Sequence, residues 1–201
     1  MICAPFRGLS GIVLAGGKSR RMRRDKTELA VGGVPVMERI LNALNEAGAF
    51  ETLVVGGRPE RFDAYSVRVV SDDPPGFGVV GGIAAGLSAM RGDAALTVGC
   101  DMPFLTGELL KRIASRLDDA DGAAAETDRG IEPLCAAYRK SAEHAFRAMM
   151  REGDLAARNA ARRLRLNRVF LKGEDARRLF NMNAPEDHAL AQRLAAEMDG
   201  S

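Results

Sequence analysis

Apolar residues along the chain follow two alternating patterns. Short, mainly apolar runs carry β-branched residues and end close to glycine or acidic positions. They are Gly11-Ile12-Val13-Leu14-Ala15, Thr52-Leu53-Val54-Val55, Val67-Arg68-Val69-Val70 and Ala94-Ala95-Leu96-Thr97-Val98. Such runs read as buried strands. Between them the period lengthens. From Pro35 to Leu44 the pattern is helical: Val36, Ile40, Leu44 and Ala47 share one face, and Gly48 is a stop. Val80 to Met90 reads as a helix of small residues, and Thr106 can cap a helix reaching about Leu117. Strands alternating with helices imply parallel βαβ units. The expected fold is therefore α/β, with an open, mostly parallel, Rossmann-like sheet covered by helices on both faces.

The second half is less regular. Gly122 to Glu126 and Glu132 to Tyr138 read as extended, and Leu166 to Leu171 as a strand. Ala142 to Met150, Leu155 to Leu164 and Pro185 to Met198 read as helices. No linker, repeat or low-complexity tract interrupts the chain, which predicts one domain over residues 1–201. In open parallel sheets ligands sit beyond the carboxyl ends of the strands. The strand ends at Gly16, Gly56 and Asp101 should then meet at one cleft.

Composition narrows the function classes. Apolar residues make up 46% of the 201, charged residues 28%, and the net charge is +2. That is ordinary for a globular enzyme and supplies no overall field to draw nucleic acid. The chain has no apolar stretch long enough for a membrane span, and its N-terminus lacks the layout of a signal peptide. Cys3, Cys100 and Cys135 are odd in number and lack metal-site spacing, which points to a reducing, cytoplasmic setting. His144 and His188 fall in helical segments and read as surface residues.

The chemistry concentrates where the first strand ends. Gly16-Gly17 break it, and Lys18, Arg20, Arg21, Arg23, Arg24 and Lys26 follow within a few residues. Cations alone fit a solvated loop or a nucleic-acid patch. After a strand ending in glycines, they fit a polyphosphate cradle, because bare glycine lets backbone N–H groups approach phosphate oxygens. It is not a P-loop: with Gly17 as the second glycine, the first would stand at Ile12. Asp101, just past the fourth strand, is a carboxylate suited to Mg²⁺, although aspartate is also a common turn residue.

Leu14 to Lys26, with the pattern L-A-G-G-x-x-x-R-M-x-x-D-K, resembles the signature loop of nucleotidylyltransferases, and most of all that of the molybdenum cofactor guanylyltransferases. Cys100-Asp101-Met102-Pro103 is similar to that family's metal-binding motif. Gly78-Val79-Val80-Gly81-Gly82-Ile83 partly resembles its G-P-L-A-G segment, Glu132-Pro133-Leu134 through Tyr138 its P-L-x-A-x-Y acceptor-side segment, and Asn181 to Asp187 its N-x-N-T-P-E-D. The chain departs from the family at Arg23, where a glycine is usual, and at Ala184, where threonine would cap the last helix.

The resemblance implies a nucleotide-binding part at about 8–105 and an acceptor-side part at about 106–201. It implies transfer of GMP from GTP to the phosphate of Mo-molybdopterin, with pyrophosphate leaving and Mg²⁺ required. Leu14, Ala15, Gly16, Gly17, Lys26, Asp72, Gly81, Gly82 and Asp101 would contact nucleotide. Asp101 would hold the metal, Arg21 and Lys26 would stabilise the departing charge, and Asn181 and Asn183 would bind the acceptor. Molybdoenzyme apoproteins or their chaperones would be further partners. Rival readings are a molybdopterin cytidylyltransferase, a sugar-phosphate nucleotidylyltransferase, or a non-catalytic nucleotide-binding paralogue.

Overall fold

The computed structural model describes residues 8–15, 29–72 and 74–199. The first strand, β1 (Leu9–Leu14), is buried along its whole length. It lies between β4 (Glu51–Val55) and β6 (Ala94–Gly99) and pairs parallel with both. A strand so placed is covered on both faces, which is why it reads as a continuous apolar run. β5 (Arg68–Val70) extends the parallel set on the far side of β4. On the other side, β8 (Gly130–Arg139) joins β6 antiparallel. Beyond it lie β7 (Gly122–Thr127) and the edge strand β9 (Leu166–Phe170), giving a seven-stranded sheet of order β5-β4-β1-β6-β8-β7-β9.

Helices cover both faces. Ile12 and Leu14 point to one side, packing with Val80, Ile83 and Leu87 of α2 (Gly78–Ala89) and Phe146 and Met149 of α4 (Glu143–Glu152). Val13 points to the other side. There α1 (Val36–Glu46) contributes Ile40 and Leu44, α3 (Gly107–Ala114) Leu109 and Ile113, and α6 (Pro185–Asp199) Ala191 and Ala195. The glycines of α2 set its distance from the sheet. A Cβ on Gly86 would stand 2.7 Å from Ile12 Cγ2, so only the bare backbone fits. Thr106 caps α3 as expected, its hydroxyl accepting from Leu109 N at 3.3 Å.

Four features differ from the expectations. Leu155 to Leu164 is not an α-helix; only a 3₁₀ turn forms, at Ala157–Arg162. Asp154 Oδ1 accepts from Ala156 N and Asn159 Nδ2, a local alternative to the helical ladder, and within that turn only Ala160 is buried. A hairpin of β2 (Ala30–Val31) and β3 (Val34–Pro35), turning through Gly32 and Gly33 at φ 58° and 76°, and a short α5 (Gly173–Arg177) were not expected. His188 is half-buried rather than a free surface residue: its Nε2 lies 2.8 Å from Ala30 O. Gln192 clasps the same hairpin, donating to Ala30 O and accepting from Gly32 N.

Candidate functional site

Strands β1, β4, β5 and β6 end side by side, and backbone hydrogen bonds carry the lacing past the ladder. Ala15 N donates to Val55 O at 3.0 Å, Gly56 N to Val70 O at 3.0 Å, and Cys100 N to Leu14 O at 3.2 Å. Two of the three expected strand ends, Gly56 and Asp101, thus flank Ala15. Gly16 and Gly17, with Arg21, Lys26 and the other loop cations, lie outside the described residues. Gly56 and Gly57 turn the chain away with φ 80° and 79°, a region that glycine enters without steric cost.

Asp72 stands just beyond β5, facing the start of α2. A Cβ on Gly81 would lie 3.2 Å from Asp72 Oδ1. That oxygen is buried and, among the described residues, is the one buried side-chain N or O atom without a hydrogen-bond partner. Burial holds the Asp72 carboxyl above its usual range. An orphaned acceptor is costly unless a ligand completes it. The first turn of α2 likewise has no side-chain cap, its N-cap being Phe77. Gly82 plays a different part: its open side faces Leu14 Cδ1, 3.1 Å from where a Cβ would stand, so close packing accounts for it.

Asp101 folds back over the end of β6. Its Oδ1 lies 2.7 Å from the position of a Cβ on Gly99, a space that opens because residue 99 has no side chain. The Asp101 carbonyl accepts from Met182 N at 2.9 Å, which brings Asn181 and Asn183 to the same turn. Asn183 N and Ala184 N both donate to Asp187 Oδ2, at 2.7 and 2.8 Å, half of a capping box at the start of α6. Arg58 is exposed beyond β4.

The motif reading placed Glu132 in the acceptor-side segment without giving it a role of its own. This half-buried carboxylate on β8 is pushed up mainly by burial, opposed by the Leu134 N–H and by Arg158, and raised further by the nearby Asp101 charge. The signal in the sequence is a charged residue set directly before proline in an apolar strand. Cys135 beside it is fully buried with its thiol pushed up by burial, so it is no thiolate nucleophile. Among the described residues no group of three or more His, Cys, Asp or Glu side chains forms a metal cluster, and no helix is long and apolar enough to cross a membrane. The arrangement supplies carboxylate oxygens, an uncapped helix start and glycine turns at the carboxyl edge of a parallel sheet. Such an edge suits a polyphosphate with a hard cation.

Known proteins share this layout. The family described as MobA-like NTP transferase domain matches residues 11–169. The molybdenum cofactor guanylyltransferase of Mesorhizobium japonicum is 34% identical over 206 residues, covering 96% of this chain and 98% of the relative. That of Cereibacter sphaeroides is 31% identical, covering 92% and 96%. Among solved structures, molybdopterin-guanine dinucleotide biosynthesis protein A from Archaeoglobus fulgidus superposes with a TM-score of 0.77 at 25% identity, covering 94% of this chain and 100% of that one.

Proposed function

From a chain that belongs to the MobA-like NTP transferase family, we infer a molybdenum cofactor guanylyltransferase, which moves GMP from GTP to the phosphate of Mo-molybdopterin and releases pyrophosphate. Relatives of that name match nearly the full length. The observation that carries the reading is the junction at Asp101, where the end of a parallel strand meets the Asn181–Asn183 segment through the Met182 N–H.

The phosphate oxygen of the acceptor attacks the α-phosphorus of GTP. The new P–O bond forms as the bond to the pyrophosphate oxygen breaks, so no protein nucleophile is needed. Asp72, with its unpartnered Oδ1, and the uncapped start of α2 at Gly81 receive the nucleotide beside Leu14 and Ala15. Arg21 and Lys26, with Gly16 and Gly17, meet the phosphates and offset the charge on the leaving pyrophosphate. Asn181 and Asn183 orient the acceptor.

The residues present fit Mg²⁺. Asp101 offers a hard oxygen in the space over Gly99 and would hold the ion there. Mg²⁺, if held by Asp101, would supply charge neutralisation for the phosphates.

The test is pyrophosphate release from GTP and from CTP, each with and without molybdopterin. The expected result is release from GTP only when the acceptor is present, with GTP bound more tightly than CTP. Preference for CTP would assign the chain to a cytidylyl reaction, and GTP binding without release under any condition would make it a non-catalytic binder.

A further inference from the structure

The two neighbours of β8 see it differently. Against β6 the pairing runs unbroken from Ala94↔Arg139 to Val98↔Cys135. Against β7 the register jumps: Ala124 faces Ala136, yet Ala125 faces Glu132. Pro133, Leu134 and Cys135 therefore bulge opposite a single step of β7. Bulges re-aim side chains and are common beside active sites. Proline at the head of this one has no N–H to give to either ladder.

The bulge is pinned from below by two hydroxyls. Thr97 Oγ1 donates to Pro133 O at 3.1 Å, with Ala136 O as a second acceptor at 3.3 Å. Tyr138 Oη also reaches Pro133 O, at 3.4 Å. Thr97 is fully buried in a strand otherwise made of Ala, Leu, Val and Gly. Valine would fill the same space but would leave the inward carbonyl short of a donor. What the bulge carries lies at the reacting end. Leu134 Cδ1 is 3.5 Å from the position of a Cβ on Gly99, bordering the same space as Asp101 Oδ1. Glu132 Oε1 accepts from Leu134 N at 3.3 Å, so the carboxylate is tied to the bulge.

We propose that Thr97 is a positioning residue for the transfer: through Pro133 it fixes the bulge, and through the bulge it sets where Leu134 and Glu132 stand beside Asp101 on the acceptor side. This rests on the guanylyltransferase reading above. Asp72 and the start of α2 share no hydrogen bond with Thr97 or Pro133 among those described, so their hold on the nucleotide does not depend on the bulge.

The experiment is steady-state GMP transfer by the wild type, Thr97→Val, Thr97→Ser and Tyr138→Phe, varying GTP and molybdopterin separately and recording melting curves. Thr97→Val should raise KM for molybdopterin by up to about tenfold, because Pro133 O loses its nearer donor and keeps only the longer Tyr138 Oη bond. KM for GTP should stay at the wild-type value. Thr97→Ser, which keeps the hydroxyl, should recover most of the loss. Tyr138→Phe should shift acceptor KM the same way by less, its bond being the longer one. A Thr97→Val enzyme that melts earlier yet keeps both KM values and kcat would overturn the proposal, since the hydroxyl would then serve stability alone. If Thr97→Val does not fold, an unchanged acceptor KM in Tyr138→Phe overturns it equally. A wild type that releases no pyrophosphate with molybdopterin overturns the functional reading, and the inference with it. An active wild type with kinetically indifferent variants removes the inference alone.

Discussion

Met182 donates its backbone N–H to the Asp101 carbonyl at 2.9 Å, tying the turn after β6 to the Asn181–Asn183 segment. The bond is to the backbone, so a side-chain change at Asp101 leaves it in place. Asp101→Asn keeps the size of the side chain and removes its charge. The expected outcome is near-complete loss of Mg²⁺-dependent pyrophosphate release, with circular dichroism and melting temperature unchanged and metal-free GTP binding retained. Substantial turnover in this variant would make Asp101 a turn residue and direct the search to Asp72 and Glu132.

Asp72 carries a buried carboxylate oxygen at a cost in stability. Burial raises its carboxyl above the unfolded-state value, so the folded chain binds the proton more tightly. The stability of the protonated form is fully present below the unfolded value and is lost as pH rises through the folded one. At pH 7 the buried anion is a net cost. Asp72→Asn should therefore stabilise at pH 7, by up to about 1 kcal/mol or about 2–4 °C in Tm. The gain should shrink as pH falls below the ordinary carboxylate range, where both proteins are neutral at this position. GTP affinity should fall in the same variant. Calorimetric melts across pH, with GTP titrations, check both halves, and equal melting at every pH would contradict the first.

Ala184 opens α6 without a side-chain cap, while Asp187 already receives the Asn183 and Ala184 N–H groups. Ala184→Thr would add the missing half of the capping box. It should stabilise by about 1 kcal/mol, as N-cap replacements do. A chemical-denaturation midpoint at or below that of the wild type would show that residue 184 cannot take the cap geometry.

In the cationic loop, Lys26 sits at a position of the signature pattern and Arg24 at a variable one. Lys26→Ala should lower kcat far more than Arg24→Ala. Equal losses would describe a diffuse basic patch instead of aimed contacts.

Much of the fold is written in local patterns. The run at Ile12 to Leu14, the helical face of Val36, Ile40 and Leu44, and the Thr106 cap each depend on residues a few positions apart, so hydrophobic period and capping chemistry disclose them. The Leu14–Lys26 loop pattern and Cys100-Asp101-Met102-Pro103 were legible for the same reason. What the sequence could not disclose depends on distant partners. Thr97 and Pro133 are 36 residues apart, and Gln192 reaches Ala30 across 162. Only the antiparallel seating of β8 against β6 makes a bulge of Pro133–Cys135 and sets Glu132 near Asp101. Only the docking of α6 on the β2–β3 hairpin turns His188 from a surface residue into a hydrogen-bonded clasp. A strand's period fixes which residues face inward; where its ladder slips, and which carbonyl then needs a hydroxyl, is decided by the strands and helices packed against it.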